Sequence, residues 1–144
     1  VIVQTFTPEA ESIRYALSHD YTGYARHILR KRAALDYPPF GRLAMVRISH
    51  VQPDRARRAA NEVGDALRGV LRTRFAGNRR LRMLGPSPAP LQRLAGRFRW
   101  RVLLLAPDPR TLAAVFDEVD PALQRAARDS GVRLAVDVDP QSML

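Results

Sequence analysis

No cysteine occurs among the 144 residues, which excludes a disulfide framework and any thiolate-ligated metal centre and suits a cytoplasmic protein. Lysine is nearly absent too. Lys31 is the single one and has no glycine run before it, so there is no GxxxxGK[ST] phosphate loop and no ATP hydrolysis is expected of this chain alone. His19, His27 and His50 are too dispersed for a metal triad, and no GxSxG elbow is present. The longest apolar run, residues 102–107, has strand length, so no membrane span is expected. The first residues lack the basic leader of a signal peptide, and they open without Met on a strand-like run, as a piece of a longer chain would. Acidic residues are missing altogether from residues 66–107.

What is present is arginine. Lys and Arg together number 24 against 14 Asp and Glu, giving +10 and a pI near 11.4, a balance that points to a polyanion, nucleic acid before membrane surface. The acid-free block holds Arg68, Arg72, Arg74, Arg79, Arg80, Arg82, Arg93, Arg97, Arg99 and Arg101, whereas from Asp108 onward acids outnumber arginines. The excess positive charge is therefore central, and it marks a polyanion-facing surface rather than a merely solvated one. Length and a 46% hydrophobic content fit about one globular domain with one sizeable core.

Along the chain, VIVQTF alternates like a strand, and Thr7 followed by Pro8 predicts a helix running to about Ser18. A second helix is predicted from Tyr21 to Leu35. The DYPPFG stretch at residues 36–41 then stops helix formation, because proline excludes α geometry from the residue before it, and it is the natural domain boundary. Beyond it, period-two and period-3.6 patterns predict a strand over residues 42–49, a helix over 53–75, a short strand over 81–84, a proline-rich connector over 85–96, a strand from 97, a helix over 109–129 and a strand over 132–137.

That order, β-α-β-β-α-β, predicts an α+β fold: a four-stranded sheet with two helices on one face (ferredoxin-like, split β-α-β), preceded by a strand and two linking helices. One sheet face is left for solvent or a partner. Alternation sends Phe98, Trp100, Val102 and Leu104 to the core and places Arg47, Arg99, Arg101 and Arg133 on the other face, with Arg80 or Arg82 joining them according to register. Arg93 and Arg97 flank Gly96, where backbone could approach a phosphate closely. Asp137 and Asp139 could hold Mg²⁺, but they lack a third ligand, and pairing of Asp137 with a neighbouring arginine and a turn set by Asp139 account for them more simply.

Three segments carry a family resemblance. YPPFGRLAMVRIS, LGPSPAPLQRLAGRFRWRVLLLAP and LAVDVDPQSML, in this order and spacing, resemble the C-terminal domain of the PriA family of primosomal replication-restart helicases. Residues 1–36 resemble the end of that family's second helicase lobe and the linking helices, leaving residues 37–144 as the C-terminal domain. The resemblance implies a parent that recognises stalled or abandoned forks, unwinds DNA 3'-5' with ATP and helps reload the replicative helicase. It implies for this chain a non-catalytic DNA-binding and partner-docking domain, cytoplasmic and nucleoid-associated, that engages single-stranded or forked DNA, the acidic tail of single-stranded-DNA-binding protein and other primosome components. ATP, Mg²⁺ and zinc would belong to other parts of the parent. The GRFRW segment matches the family motif at Arg97, Phe98, Arg99 and Trp100, with Phe98 where the family often has Tyr. The DNA-binding set is then Arg79, Arg80, Arg82, Arg93, Arg97, Arg99 and Arg101, and Arg110 lies where the acidic tail is expected. An RNA-binding or ribosomal-type module of the same topology would instead want exposed aromatics on the central strands, a small-molecule regulatory domain a neutral pocket, and a metal-dependent nuclease the Asp137 and Asp139 pair.

Overall fold

The computed structural model describes residues 2–141 and separates between Leu35 and Asp36 into two compact units. In the first, helix α1 (Glu11–Leu17) packs on helix α2 (Tyr21–Ala34). The Asp20 side chain caps α2 by accepting the Gly23 N–H at 2.8 Å. The Glu11 carboxylate receives Lys31 Nζ at 2.7 Å and lies 2.8 Å from His27 Nε2, and Tyr15 stacks obliquely on Tyr24.

Two expectations fail in this unit. Residues 2–6 form no strand: the four strands found among the described residues all join one sheet in the second unit, and an alternating run without a ladder partner has nothing to satisfy its N–H and C=O groups. Ile2 and Phe6 are fully exposed. The first helix starts at Glu11 rather than after Thr7, because Thr7 closes a turn with Ala10 instead of capping a helix.

The second unit runs β1 (Arg42–His50), α3 (Pro53–Arg74), β2 (Arg82–Leu94), β3 (Arg97–Ala106), α4 (Pro109–Ser130) and β4 (Arg133–Val138). The sheet order is β2-β3-β1-β4 with every pair antiparallel, the predicted split arrangement. Proline at the first turn opens both long helices, where its missing N–H costs nothing. For α4 the Asp108 side chain accepts from Thr111 N at 2.8 Å and from Thr111 Oγ1 at 2.9 Å, and these bonds hold its carboxyl below the usual range. Gly131, at φ 62°, ends the helix. Pro121 sits inside α4, and the helix runs through it because buried Val115, Val119, Leu123 and Ala126 anchor both sides.

The apolar stripe of α3 (Ala59, Ala60, Val63, Leu67) and that of α4 meet Ala44, Val46, Ile48, Val102 and Leu104 of the sheet. Each fully buried large aliphatic contributes about 1.5–3 kcal/mol. The small residues of α3 let it lie close to the strands. A Cβ on Gly64 would come within 2.8 Å of Pro86 Cδ.

One segment was predicted differently. The proline-rich connector is mostly strand: β2 continues to Leu94, and only its ladder is interrupted, between Leu84 and Ser87 and again between Pro88 and Arg93. β2 is an edge strand, and Pro86 and Pro90 fall within the two interruptions of its ladder, where a missing donor is tolerated.

Candidate nucleic-acid interface

Residues directly opposite in an antiparallel ladder share a face, so the register fixes what lies on the side away from the helices. Arg101 is opposite Arg47, Arg99 opposite Ser49, and Ser49 in turn opposite Arg133. Arg47, Arg99, Arg101 and Arg133 thus form one patch across β3, β1 and β4, and Arg97 lies beyond it on the same side. Like charges facing each other across a ladder repel. Asp137 offsets this, its Oδ2 lying 3.2 Å from Arg47 Nη2. Arg97 reaches across to β1 and donates to Ser49 Oγ at 3.2 Å and to the Ser49 carbonyl at 2.9 Å, which fixes its orientation. Arg133 is exposed and makes no ion pair among the described residues.

The other half of this face is apolar, which the sequence reading had not foreseen. Leu43, Met45, Leu103 and Leu105 are buried there beneath Tyr37. The signal was available: an unbroken VLLLA run means burial on both faces of a strand. Residues 36–40 lie over this half as a strap. Asp36 is held by Arg80 Nη2 at 2.9 Å and Arg82 Nη2 at 3.6 Å, and Arg80 also donates to the Phe40 carbonyl at 3.1 Å.

The predicted site residues therefore fall into separate places. Arg97, Arg99 and Arg101 share the open face with Arg47 and Arg133. Arg80 and Arg82 hold the strap, while Arg79 is exposed in the turn before β2. Arg93 sits on the β2 edge with its guanidinium carbon 5.3 Å from the Phe98 ring centroid. Arg110 is exposed on the first turn of α4, next to a groove lined by Arg42, Pro109, Leu112, Phe116, Val138 and Asp139.

Trp100 packs on the helix-side core as expected, but Phe98 lies at its margin, half-buried beneath Arg93. The open face therefore presents guanidinium groups where a base-stacking module would present rings. Asp137 and Asp139 do not converge. β4 ends at Val138, Asp139 turns at φ 48°, and its carboxylate accepts from Arg42 Nη1 at 2.7 Å and Leu43 N at 3.0 Å. No group of three or more metal-ligating side chains occurs among the described residues. His50 is buried with Nδ1 accepting the Gln52 N–H at 2.9 Å, a structural role. Among the described residues, no helix is long and apolar enough to cross a membrane.

Comparison with known proteins places this geometry in a family context. The family model described as "Primosomal protein N C-terminal domain" matches residues 33–141. Replication restart protein PriA of Haemophilus influenzae is 32% identical over 99% of this chain and 18% of its own length. The PriA of Bacillus subtilis is 27% identical over 100% and 17%, and the probable PriA of Deinococcus radiodurans 33% identical over 99% and 14%. The chain thus spans less than a fifth of the length of these relatives. A hydantoinase/carbamoylase family amidase from Burkholderia ambifaria superposes with a TM-score of 0.48 at 19% identity, over 68% of this chain and 27% of its own.

Proposed function

Because the chain belongs to the primosomal protein N C-terminal domain family, we propose that it is the non-catalytic DNA-binding and partner-docking part of a replication-restart helicase acting at stalled or abandoned forks. The carrying observation is the patch of Arg47, Arg99, Arg101 and Arg133 on the sheet face opposite the helices, extended by Arg97. Guanidinium groups on neighbouring strands can each neutralise a phosphate, and the released counterions drive binding regardless of sequence. Flat placement on strands, without rings to stack on, suits the backbone rather than the base edges.

Partner docking is assigned to the opposite end of the unit. Arg110 follows Pro109 of an apolar groove lined by Leu112, Phe116 and Val138, in which Arg42 is already paired with Asp139, so Arg110 is the cation this end offers to an acidic peptide ending in apolar side chains, such as the tail of single-stranded-DNA-binding protein. Residues 1–36 are assigned to the end of the second helicase lobe and its linking helices, and residues 37–144 to the C-terminal domain. ATP hydrolysis, unwinding and zinc binding belong to the remainder of the parent, which would work in the cytoplasm at the nucleoid.

The test is fluorescence-anisotropy titration of labelled single-stranded, duplex and forked DNA at two salt concentrations, with an Arg97→Ala/Arg99→Ala/Arg101→Ala variant alongside. Salt-sensitive binding that the variant loses is expected. Binding that survives the substitutions moves the site to the arginines between residues 68 and 82. Absence of binding at low salt removes the DNA role.

A further inference from the structure

The β2–β3 connection is the place where exposed apolar side chains and the arginine surface meet. Leu94 pairs with Arg97 across a two-residue turn, Ala95 at φ 47° and Gly96 at φ 73°, both in the left-handed region as the tightest hairpins require. Just before it the ladder breaks between Pro88 and Arg93. Ala89 tucks into the protein while Pro90, Leu91 and Gln92 are pushed outward. Leu91 is 45% exposed and Leu94 51% exposed. Between them Arg93 is anchored over the Phe98 ring, and Arg97 is anchored to Ser49. The tip thus carries two solvated leucines on a bulged edge strand, with Arg93 opposite Phe98 and Arg97 opposite Leu94, one oriented cation on each face of the hairpin, in a stretch without a single acid from residue 66 to 107.

This combination narrows the partner. Cations alone fit a duplex flank, whose apolar base faces are hidden in the stack. Leucines gain most where a base face is already open, as at the end of a duplex or the point where strands diverge, because entering a continuous duplex costs the unstacking of a base step.

We propose that the β2–β3 tip is a junction wedge, with Leu91 and Leu94 set against the last base pair of a fork and Arg93 and Arg97 on the flanking phosphates. The proposal rests on the DNA-binding reading above and adds to it the part of the DNA that is recognised. The sheet arginines hold the duplex or single-strand backbone, and the tip distinguishes an opened end from a continuous helix.

The experiment uses this chain with three DNAs: a fork carrying 2-aminopurine in its last base pair, the same fork unlabelled, and a hairpin-closed duplex that exposes no end. The wild-type chain is expected to raise the 2-aminopurine emission and to prefer the fork over the closed duplex by about tenfold, the worth of burying one exposed leucine side chain in part. Leu91→Ala/Leu94→Ala is expected to lose both effects while binding the closed duplex with unchanged salt dependence. Because both leucines are exposed, its thermal midpoint should match the wild type. Leu94→Phe, which offers a larger stacking face, should enhance the emission change. A double alanine variant that keeps the wild-type fork preference overturns the wedge and leaves DNA binding standing. A wild-type chain that binds none of the three overturns both.

Discussion

Removing Tyr37 would show whether the strap is a structural part of the domain. Its ring covers Leu43, Met45, Leu103 and Leu105 on the sheet face away from the helices. A tyrosine buries roughly 150–250 Å² when fully enclosed. Tyr37 is part-buried, so about 100 Å² of apolar contact is lost on truncation, which at ~25 cal/mol per Å² gives about 2.5 kcal/mol. For a unit of roughly a hundred residues this corresponds to a fall in Tm of about 10 °C. Urea titration of Tyr37→Ala, followed through Trp100 fluorescence, should show a lower midpoint with an unchanged slope, since the surface exposed on unfolding changes little. Tyr37→Phe keeps the ring and should stay within about 0.5 kcal/mol of wild type. A loss below about 0.5 kcal/mol for Tyr37→Ala would refute the reasoning, because the four residues beneath would then be sealed by something other than the strap.

Three further outcomes follow from the packing and the carboxylates. Gly64→Ala should destabilise by about 1–2 kcal/mol in thermal melts: its Cβ would press on the Pro86 ring at 2.8 Å, and improved helix propensity recovers only part of the overpacking cost. Asp108→Ala should lower the thermal midpoint through loss of the α4 cap, whereas Asp108→Asn, which still accepts from Thr111 N, should lower it less. The hydrogen bond from Lys31, aided by His27, holds the Glu11 carboxyl below its ordinary value. Its contribution to pairing α1 with α2 is therefore complete above the ordinary glutamate range and lost as pH falls through the lowered folded value. Side-chain NMR titration should find the Glu11 midpoint below that of exposed glutamates and shifted upward in Lys31→Met.

Much of the second unit was legible because local and tertiary signals agree there. Pro53 and the Asp108-Pro109 pair start the long helices where the sequence says they should, and period-two alternation through Arg47, Arg99, Arg101 and Arg133 put those side chains on one face. What was not legible depended on partners far along the chain. Residues 2–6 have strand-like alternation but no neighbouring strand among the described residues. The reverse error occurred at β2, where three prolines argued for a loop, yet an edge position tolerates them because one side of the strand has no ladder to feed. Arg80 and Arg82 read like the other arginines of the acid-free block, but Asp36, more than forty residues earlier, engages both. The mixed character of the open face turned on Tyr37 folding back over β1 and β3, a contact that periodicity does not encode.

The central claim, that the arginine patch binds DNA through its phosphates, is tested most directly by the slope of log affinity against log salt. Each phosphate contact contributes about 0.9 to that slope on duplex DNA. Wild-type chain and an Arg99→Gln/Arg101→Gln/Arg133→Gln variant should be titrated with the same duplex over a range of salt concentrations, with matched thermal midpoints as the folding control. The account predicts a slope smaller by about 2 to 3 in the variant, together with weaker binding to every DNA tested. An unchanged slope in a folded variant would contradict it and place the phosphate contacts elsewhere on the molecule.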